Sequence, residues 1–145
     1  MAKVAFSGLD QLRAQLITKL PAAVKEEVQA SLEQSADEMV NMARALAPID
    51  DGDLRDSIKA TSAGKLTPLY GGGGQAKVGD LQVRVTAGNY FVRYASIVEF
   101  GRKATAKFGA MAARPFFWPS YRSLKKKFKG RTTRALNKAL KRAAK

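Results

Sequence analysis

Residues 21–46 constrain the fold of this chain more than any other segment, because their pattern predicts one long helix with a single apolar side. Pro21 suits a first helical turn, where its missing amide would have no partner in any case. A helix of about 25 residues is roughly 40 Å long, so its apolar side needs a long partner surface. The apolar residues recur at spacings of three and four, the period of an α-helix; they are Val24, Val28, Leu32, Ala36, Met39, Val40, Ala43 and Leu46.

The clearest strand pattern lies in residues 81–87, where apolar and polar side chains alternate. Such alternation predicts a sheet with one covered face, and we expect the long helix to lie on that face. Residues 57–63 predict a first strand, and residues 76–78 predict a hairpin partner across the turn at residues 79–80. The sequence therefore predicts an α+β fold: a small antiparallel sheet packed by a long N-terminal-half helix, with a basic C-terminal helix.

Shorter elements are predicted in the first part of the chain. Residues 2–7 predict an edge strand, and residues 9–20 predict a first amphipathic helix. An acidic turn at residues 50–53 precedes a short helix at residues 54–57, for which Asp53 is the predicted N-cap.

The second part of the chain is expected to be more irregular. Residues 90–100 are the most apolar window and predict a helix, although periodicity alone leaves a strand open. Residues 102–113 predict an exposed loop, and the prolines in residues 114–119 predict an extended segment. Ser120 is the predicted cap of the last helix, which Gly130 is expected to bend or split.

The length of 145 residues suits one domain, with a helical front half at 1–58, a sheet region at 59–101, and a loop plus basic helix at 102–145. The chain has no cysteine and no histidine, which excludes disulfides, His-dependent triads and the usual zinc sites. No constellation of the remaining reactive residues predicts an enzyme, and we expect no metal and no cofactor. No apolar run reaches the roughly 20 residues of a membrane helix, and the N-terminus lacks a signal-peptide core. We therefore expect a soluble intracellular protein, or one released by lysis, without membrane contact.

The net charge of +14 is unevenly distributed along the chain. Residues 1–58 hold 6 basic and 10 acidic residues, whereas the chain after Glu99 holds 15 basic residues and no acid. This asymmetry favours head-to-tail contact between copies, or contact with an anionic partner such as nucleic acid. The alternative is a solvated basic tail without a partner.

Four motifs occur in a fixed order. Residues 8–12 are Gly-Leu-Asp-Gln-Leu, and residues 45–58 are Ala-Leu-Ala-Pro-Ile-Asp-Asp-Gly-Asp-Leu-Arg-Asp-Ser-Ile. Residues 94–101 are Tyr-Ala-Ser-Ile-Val-Glu-Phe-Gly, and residues 113–116 are Ala-Arg-Pro-Phe, with Pro119 after them. In this combination the chain resembles the minor tail-component family of long-tailed bacteriophages, which includes tail-completion and head–tail joining (neck) proteins.

The resemblance implies a non-enzymatic structural protein that acts as a ring of identical copies, expected to be a hexamer. Such a ring would complete the head-proximal end of the tail or join head and tail. The implied partners are neighbouring neck, tail-terminator or tail-tube proteins, with nonspecific contact to DNA in the channel. The implied location is the virion, and the host cytoplasm during assembly. Asp51 and Arg102 depart from the threonines usual in the family. The alternative function is a stand-alone, nonspecific nucleic-acid-binding protein that uses the basic C-terminal helix.

Two groups of residues are candidate structural or interface sites. Glu99 lies between two hydrophobic residues, where a buried carboxylate needs a partner. We predict an ion pair with Arg114, because a guanidinium binds a carboxylate bidentately; an exposed Glu99 is the alternative. Phe116, Phe117 and Trp118 are predicted interface anchors, with packing in the core as the alternative.

Glycines and acids form two further clusters. The run Gly71, Gly72, Gly73 and Gly74 predicts a flexible loop rather than a phosphate cradle, because no Gly-Lys-Ser/Thr follows it. The four aspartates in residues 50–56 predict a turn near helix N-termini rather than a metal site, since they lack the ligand order of a calcium loop.

The basic residues of the last helix are predicted to contact either DNA phosphates or acidic protein surfaces, including residues 26–56 of a neighbouring copy. No recognition motif accompanies them, so any DNA contact is expected to be nonspecific. These candidates are Lys125, Lys126, Lys127, Lys129, Arg131, Arg134, Lys138, Lys141 and Arg142.

Overall fold

The computed structural model describes residues 22–70 and 74–143 and has the predicted α+β fold. The strand predicted at residues 2–7 and the helix predicted at residues 9–20 lie outside the described residues, as do Gly71, Gly72 and Gly73. None of the described helices is long and apolar enough to cross a membrane. In chain order the elements are α1 (Ala22–Leu46), α2 (Asp53–Ser57), β1 (Lys59–Thr61), β2 (Arg84–Thr86), α3 (Ala95–Phe100) and α4 (Phe117–Ala143).

The long helix α1 contacts the sheet but packs mainly against α4, which runs antiparallel to it. Glu27, near the start of α1, contacts Lys138, whereas Glu38, further along α1, contacts Lys127. The predicted contact of α1 with the sheet is therefore present, but α4 and not the sheet is the main partner of α1. The reason is that α4 carries an apolar stripe of its own, and two long stripes bury more surface together than strands of three residues can offer.

The buried face of α1 differs from the predicted face at two places. Leu46, at the end of the helix, is 51% exposed rather than covered. Ser31 and Ser35 are buried although neither is apolar, and the Ser35 hydroxyl donates to the Ser31 carbonyl oxygen at 2.9 Å. Ser35 also accepts a hydrogen bond of 2.8 Å from Arg131 of α4. At Ser35 a small polar residue thus replaces an apolar one where α4 supplies a polar partner.

Two apolar clusters lie at opposite ends of α1. The smaller one joins Val24 and Val28 to Ala139 of α4, with Leu81 packed against it. The larger one lies where the second half of α1 meets α2, α3 and the start of α4. Its buried residues are Val40, Ala43, Ala47, Leu54, Ile58, Val92, Ala95, Val98 and Phe116.

The sheet has two antiparallel strands, with Lys59 opposite Thr86 and Thr61 opposite Arg84. Both strands are shorter than the sequence pattern predicts. Leu81 has a φ of 52°, in the left-handed region that bulky L-residues rarely adopt, so a regular strand cannot begin there. Its side chain packs on the smaller cluster instead of continuing the face of β2.

Residues 64–70 and 74–78 form an irregular two-stranded arm, called the arm below, where we predicted a loop followed by a hairpin partner for β2. Leu66 bridges Lys77 in antiparallel fashion, and Tyr70 bridges Gly74. The Val78 amide donates to the Lys65 carbonyl oxygen at 2.9 Å. The predicted hairpin across residues 79–80 is therefore wrong, since residues 76–78 pair backward within the arm.

Three predicted helix details also change. The N-cap of α2 is Gly52 with a φ of 87°, and Asp53 is the first helical residue rather than the cap. Helix α4 begins at Phe117, so Ser120 lies inside it, where its hydroxyl donates to the Phe116 carbonyl oxygen. Helix α4 also continues through Gly130 without a break. Residues 95–100 form a helix, which resolves the alternative left open for that window.

Candidate functional site

The start of α4 is held by the carboxylate of Glu99, which projects from α3 and is only 6% exposed. One carboxylate oxygen accepts hydrogen bonds from the backbone amides of Phe116 at 2.8 Å and Phe117 at 2.9 Å. The other accepts a bond of 3.0 Å from the amide of Trp118. Amides at a helix start have no acceptor within the helix, and the helix dipole favours a negative charge there. Glu99 therefore caps α4 from 17 residues earlier in the chain.

The predicted ion pair between Glu99 and Arg114 is not among the salt bridges of the described residues. Backbone amides take the place of the guanidinium, and the Arg114 side chain is exposed. Arg114 contributes its own backbone amide instead, which donates to the Val98 carbonyl oxygen at 2.7 Å. The sequence predicted the correct carboxylate but the wrong donor. Backbone amides do not depend on residue type, so the sequence does not show which of them donate to Glu99.

A loop between α3 and α4 brings these amides to Glu99. Gly101 ends α3 with a φ of 75°, and its amide donates to the Ile97 carbonyl oxygen. Arg102 and Met111 then exchange two backbone hydrogen bonds of 2.8 Å, which close residues 102–111 into a hairpin-like loop. The predicted exposed loop is thus present, with a defined closure at its base.

The three aromatic residues that open α4 have different environments. Phe116 is 1% exposed and packs in the main core, so it is a core residue and not the interface anchor that we predicted. Phe117 is half-buried, and its ring meets those of Phe116 and Trp118 edge to face. Trp118 is 42% exposed. Only Trp118 of the three therefore offers a large apolar surface to a partner.

An apolar groove of about 200 Å³ lies beside this helix start. Its walls come from the end of the arm, from β2, from α3 and from the first turn of α4. Phe100, which is 67% exposed, and Trp118 stand at this groove together with Tyr70 of the arm. The Tyr70 hydroxyl donates to the Ala87 carbonyl oxygen at 2.6 Å, which fastens the arm to the end of β2. The groove is thus built from every element around Glu99.

Large exposed apolar side chains are concentrated in one stretch of the chain. Of the thirteen found in the described residues, ten lie between Leu66 and Trp118. Sequence reasoning missed the most exposed of them, Phe91 at 88%, and also Phe108 at 59%. Phe91 is exposed because the Asn89 side chain accepts hydrogen bonds from the amides of Phe91 and Val92 and forms a turn. In the sequence, Asn-Tyr-Phe-Val at residues 89–92 was the signal for this turn. We missed it, because we interpreted residues 90–100 as a helix.

The basic residues of α4 fall into two groups. Four of the nine predicted contact residues already bind acids of α1 within the same chain. Lys127 lies 2.9 Å from Glu38, which Arg131 also contacts. Glu27 receives the other two, Lys138 at 3.1 Å and Arg142 at 3.4 Å. We predicted that these bases contact acidic residues in the range 26–56 of a neighbouring copy. Four of them instead contact acids of that range, Glu27 and Glu38, in the same chain. The remaining candidates are Lys125, Lys126, Lys129, Arg134 and Lys141.

Acid is expected to weaken the contact between α1 and α4 at Glu38. Hydrogen bonds from Lys127, and then from Arg131, hold the pKa of Glu38 below its ordinary value of 4.5. Because this pKa is lowered on folding, the stabilisation is complete above pH 4.5 and disappears as the pH falls through the folded-state pKa. We expect Glu38→Gln to lower the melting temperature at neutral pH and to approach the wild type in acid.

Thermal unfolding followed by circular dichroism at a series of pH values measures this effect. Asp37→Asn is the matched control, since Asp37 is the exposed neighbour on α1 and forms no ion pair within the described residues. A difference between Glu38→Gln and wild type that stays constant across the pH series would contradict the assignment.

The acidic turn lies on another side of the main core. Asp50, Asp51 and Asp53 are exposed, and the described residues contain no acidic cluster arranged to hold a metal ion. Burial raises the pKa of Tyr94, and the nearby charges of Asp53, Asp51 and Asp50 raise it further. The turn therefore presents a negative surface beside the base of the 102–111 loop, where Met111 and Arg114 line a shared pocket.

Comparison with known proteins identifies the family. Residues 10–101, more than half of the chain, match a family model described as "Bacteriophage HK97-gp10, putative tail-component". The chain belongs to this family of bacteriophage tail components. The match agrees with the family resemblance of the sequence motifs at residues 45–58 and 94–101, both of which lie within it. A search of curated proteins and a search of solved structures each gave no significant match.

The match to the tail-component family includes the residue that caps α4 but not the helix that it caps. Glu99 and Gly101 lie within residues 10–101, together with α1, the sheet and the arm. The amides that Glu99 binds, the exposed Trp118 and the whole of α4 follow after it. The tail component thus uses a residue of the matched region to hold a helix that lies beyond it.

Proposed function

We propose that this tail component is a non-enzymatic structural subunit that assembles into a ring of identical copies, with six as the expected number. The ring completes the head-proximal end of the tail or joins head and tail in the neck. Membership of the tail-component family supports a role in the virion. The motifs at residues 45–58 and 94–101 support the head-proximal position through their resemblance to tail-completion proteins.

The observation that carries the assembly role is the apolar surface around the groove. At the groove, Phe100 is 67% exposed, and Trp118 and Tyr70 add aromatic anchors at 42% and 38%. Exposed apolar side chains that line a groove mark interaction sites on soluble proteins, and aromatic side chains dominate the energetics of such contacts.

Charge distribution favours a second copy as the occupant of this surface. The acidic turn is exposed, whereas the charged residues of the 102–111 loop, Arg102, Lys103 and Lys107, are all basic. Opposite charges on different parts of one molecule favour a head-to-tail contact, and such heterologous contacts close into rings when the rotation permits. Neighbouring neck, tail-terminator or tail-tube proteins would then contact the two faces of the ring.

The double substitution Phe100→Ser with Trp118→Ser is expected to abolish the multimer. Each buried aromatic anchor typically contributes about 2 kcal/mol or more to an interface, so the pair should weaken association by roughly a thousandfold. Light scattering coupled to size-exclusion chromatography measures the mass, and complementation of a phage lacking this gene measures assembly. Both substitutions leave the monomer core intact, because neither side chain is buried.

Leu46→Ser with Leu140→Ser provides the matched control. These residues are 51% and 44% exposed and lie outside the groove. The control should keep both the mass and the complementation of the wild type. Wild-type protein that is monomeric at every concentration, together with full complementation by Phe100→Ser/Trp118→Ser, would refute the proposal.

A further inference from the structure

Helix α4 carries ten basic residues and no acid over Phe117–Ala143. Four of the ten bind Glu27 and Glu38 of α1 and are thereby neutralised. The other six have no salt bridge within the described part of the chain and are all exposed. Packing against α1 therefore divides the helix into a neutralised side and a positively charged outer side. The six are Arg122, Lys125, Lys126, Lys129, Arg134 and Lys141.

The outer residues follow one face of the helix. Arg122, Lys126 and Lys129 are spaced by four and three residues, so they align along a single stripe. Thr133 and Asn137 continue that stripe, and both are exposed. The helix from residue 122 to residue 141 is roughly 28 Å long at 1.5 Å per residue. A duplex of about 28 Å contains roughly eight base pairs, so several phosphates lie within reach of one such stripe.

We propose that this outer stripe of α4 binds the phosphate backbone of double-stranded nucleic acid without sequence preference. Lysine and arginine neutralise phosphates, and an asparagine such as Asn137 donates hydrogen bonds to phosphate oxygens. The stripe offers these groups in one row and lacks the acidic residues that would repel the ligand. The inference goes beyond the proposed assembly role and does not depend on it.

The chemistry of the stripe favours nucleic acid over the other anionic partners. Protein interfaces need an apolar centre, and the run from Arg122 to Asn137 along the stripe consists of basic, hydroxyl and amide residues. A membrane-surface helix needs a free apolar face, whereas the apolar face of α4 is packed against α1. Both alternatives become outcomes of the test below.

The test measures binding of the full chain to two fluorescent 20-base-pair duplexes of unrelated sequence across a range of NaCl concentrations. We expect equal affinity for both duplexes. For four to six phosphate contacts, the log–log slope of affinity against salt should be roughly −4 to −5. The triple substitution Arg122→Gln, Lys126→Gln and Lys129→Gln should reduce the steepness of that slope by about 3 units and weaken binding at least tenfold.

The matched control is Arg84→Gln with Lys59→Gln and Lys77→Gln. It removes one arginine and two lysines that are also exposed, but from the sheet and the arm. The control should retain the wild-type slope, and circular dichroism should show equal helix content in all three proteins. Equal losses in both triple variants would show that net charge, and not the stripe, drives binding, and would overturn the proposal.

Two further arms separate the remaining outcomes. Vesicles of anionic phospholipid, tested at the same salt, should bind both triple variants equally. If the stripe variant alone loses vesicle binding but keeps duplex binding, the stripe is a membrane site and the proposal is overturned. Light scattering on the stripe variant should give the wild-type mass. Failure of duplex binding with an intact ring would refute this inference alone, whereas an absent ring with intact duplex binding would refute only the assembly proposal.

Discussion

Replacing Glu99 with alanine is expected to lower the free energy of unfolding by about 3–5 kcal/mol, the largest effect of any single substitution considered for this protein. The carboxylate is buried and is the acceptor for the amides of Phe116, Phe117 and Trp118. Alanine would leave three amide donors at the start of α4 without an acceptor, and each buried orphan donor costs about 1–3 kcal/mol. Loss of the charge would also remove its favourable interaction with the helix dipole.

Arg114→Ala distinguishes this cap from the ion pair that the sequence suggested. The Arg114 side chain is exposed, and its backbone amide, which bonds to Val98, is unaffected by the substitution. We therefore expect Arg114→Ala to change stability by well under 1 kcal/mol. Glu99→Gln should fall between the two, because a neutral amide oxygen accepts fewer and weaker hydrogen bonds than a carboxylate.

Urea denaturation of the three variants, followed by far-ultraviolet circular dichroism, provides the measurement. Hydrogen exchange at residues 117–121 gives a local check, since the first turn of α4 should lose protection in Glu99→Ala. If Glu99→Ala and Arg114→Ala destabilise the protein equally, the ion pair and not the amide cap holds α4.

Gly88→Ala is expected to destabilise the protein by about 3 kcal/mol, the second large effect. Gly88 has a φ of 95°, a conformation that L-residues rarely adopt. A Cβ atom there would lie 2.7 Å from the Val92 carbonyl oxygen and 2.9 Å from the Tyr70 hydroxyl oxygen. The Gly88 amide also donates to the buried Ser57 hydroxyl at 3.0 Å, so the backbone cannot move away freely. The substitution would strain the junction of β2, the arm and α3.

Two other glycines separate the causes of this effect. Gly64 has a φ of 77°, and no atom lies within 4 Å of the position that a Cβ would take, so Gly64→Ala should show only the conformational cost, about 1–2 kcal/mol. Gly109 has open surroundings as well and no left-handed conformation, so Gly109→Ala should stay within about 0.5 kcal/mol of wild type. Denaturation midpoints that fail to follow the order Gly88, Gly64, Gly109 would contradict the close approach at Gly88.

The long apolar periodicity of residues 21–46 was sufficient to predict α1, which spans Ala22–Leu46. The same kind of local pattern predicted a helix before Gly101, and that helix is α3. Alternation in residues 81–87 predicted a strand in the right place but of the wrong length. These successes share a cause: helix and strand formation depend on side-chain spacing within a short window, which the sequence displays directly.

Pairing between distant segments depended on information that is absent from any short window. The sequence showed two apolar stripes, in α1 and α4, but not that they would pack on each other in preference to the sheet. Nor did it show that residues 76–78 would pair backward within the arm, or that Leu81 would adopt a positive φ and pack on the smaller cluster. Such choices are decided by the total area buried across the molecule.

The sequence by itself therefore determined the α+β class, the position of the long helix and the family, and it singled out Glu99 as a candidate structural residue. Only the tertiary structure decided that Glu99 binds three backbone amides, that Phe116 is core while Trp118 is exposed, and that part of the basic charge of α4 is neutralised by α1. The physical reason is that backbone donors are the same at every residue. Which of them lacks a partner, and which charge faces water, becomes fixed only when distant elements meet.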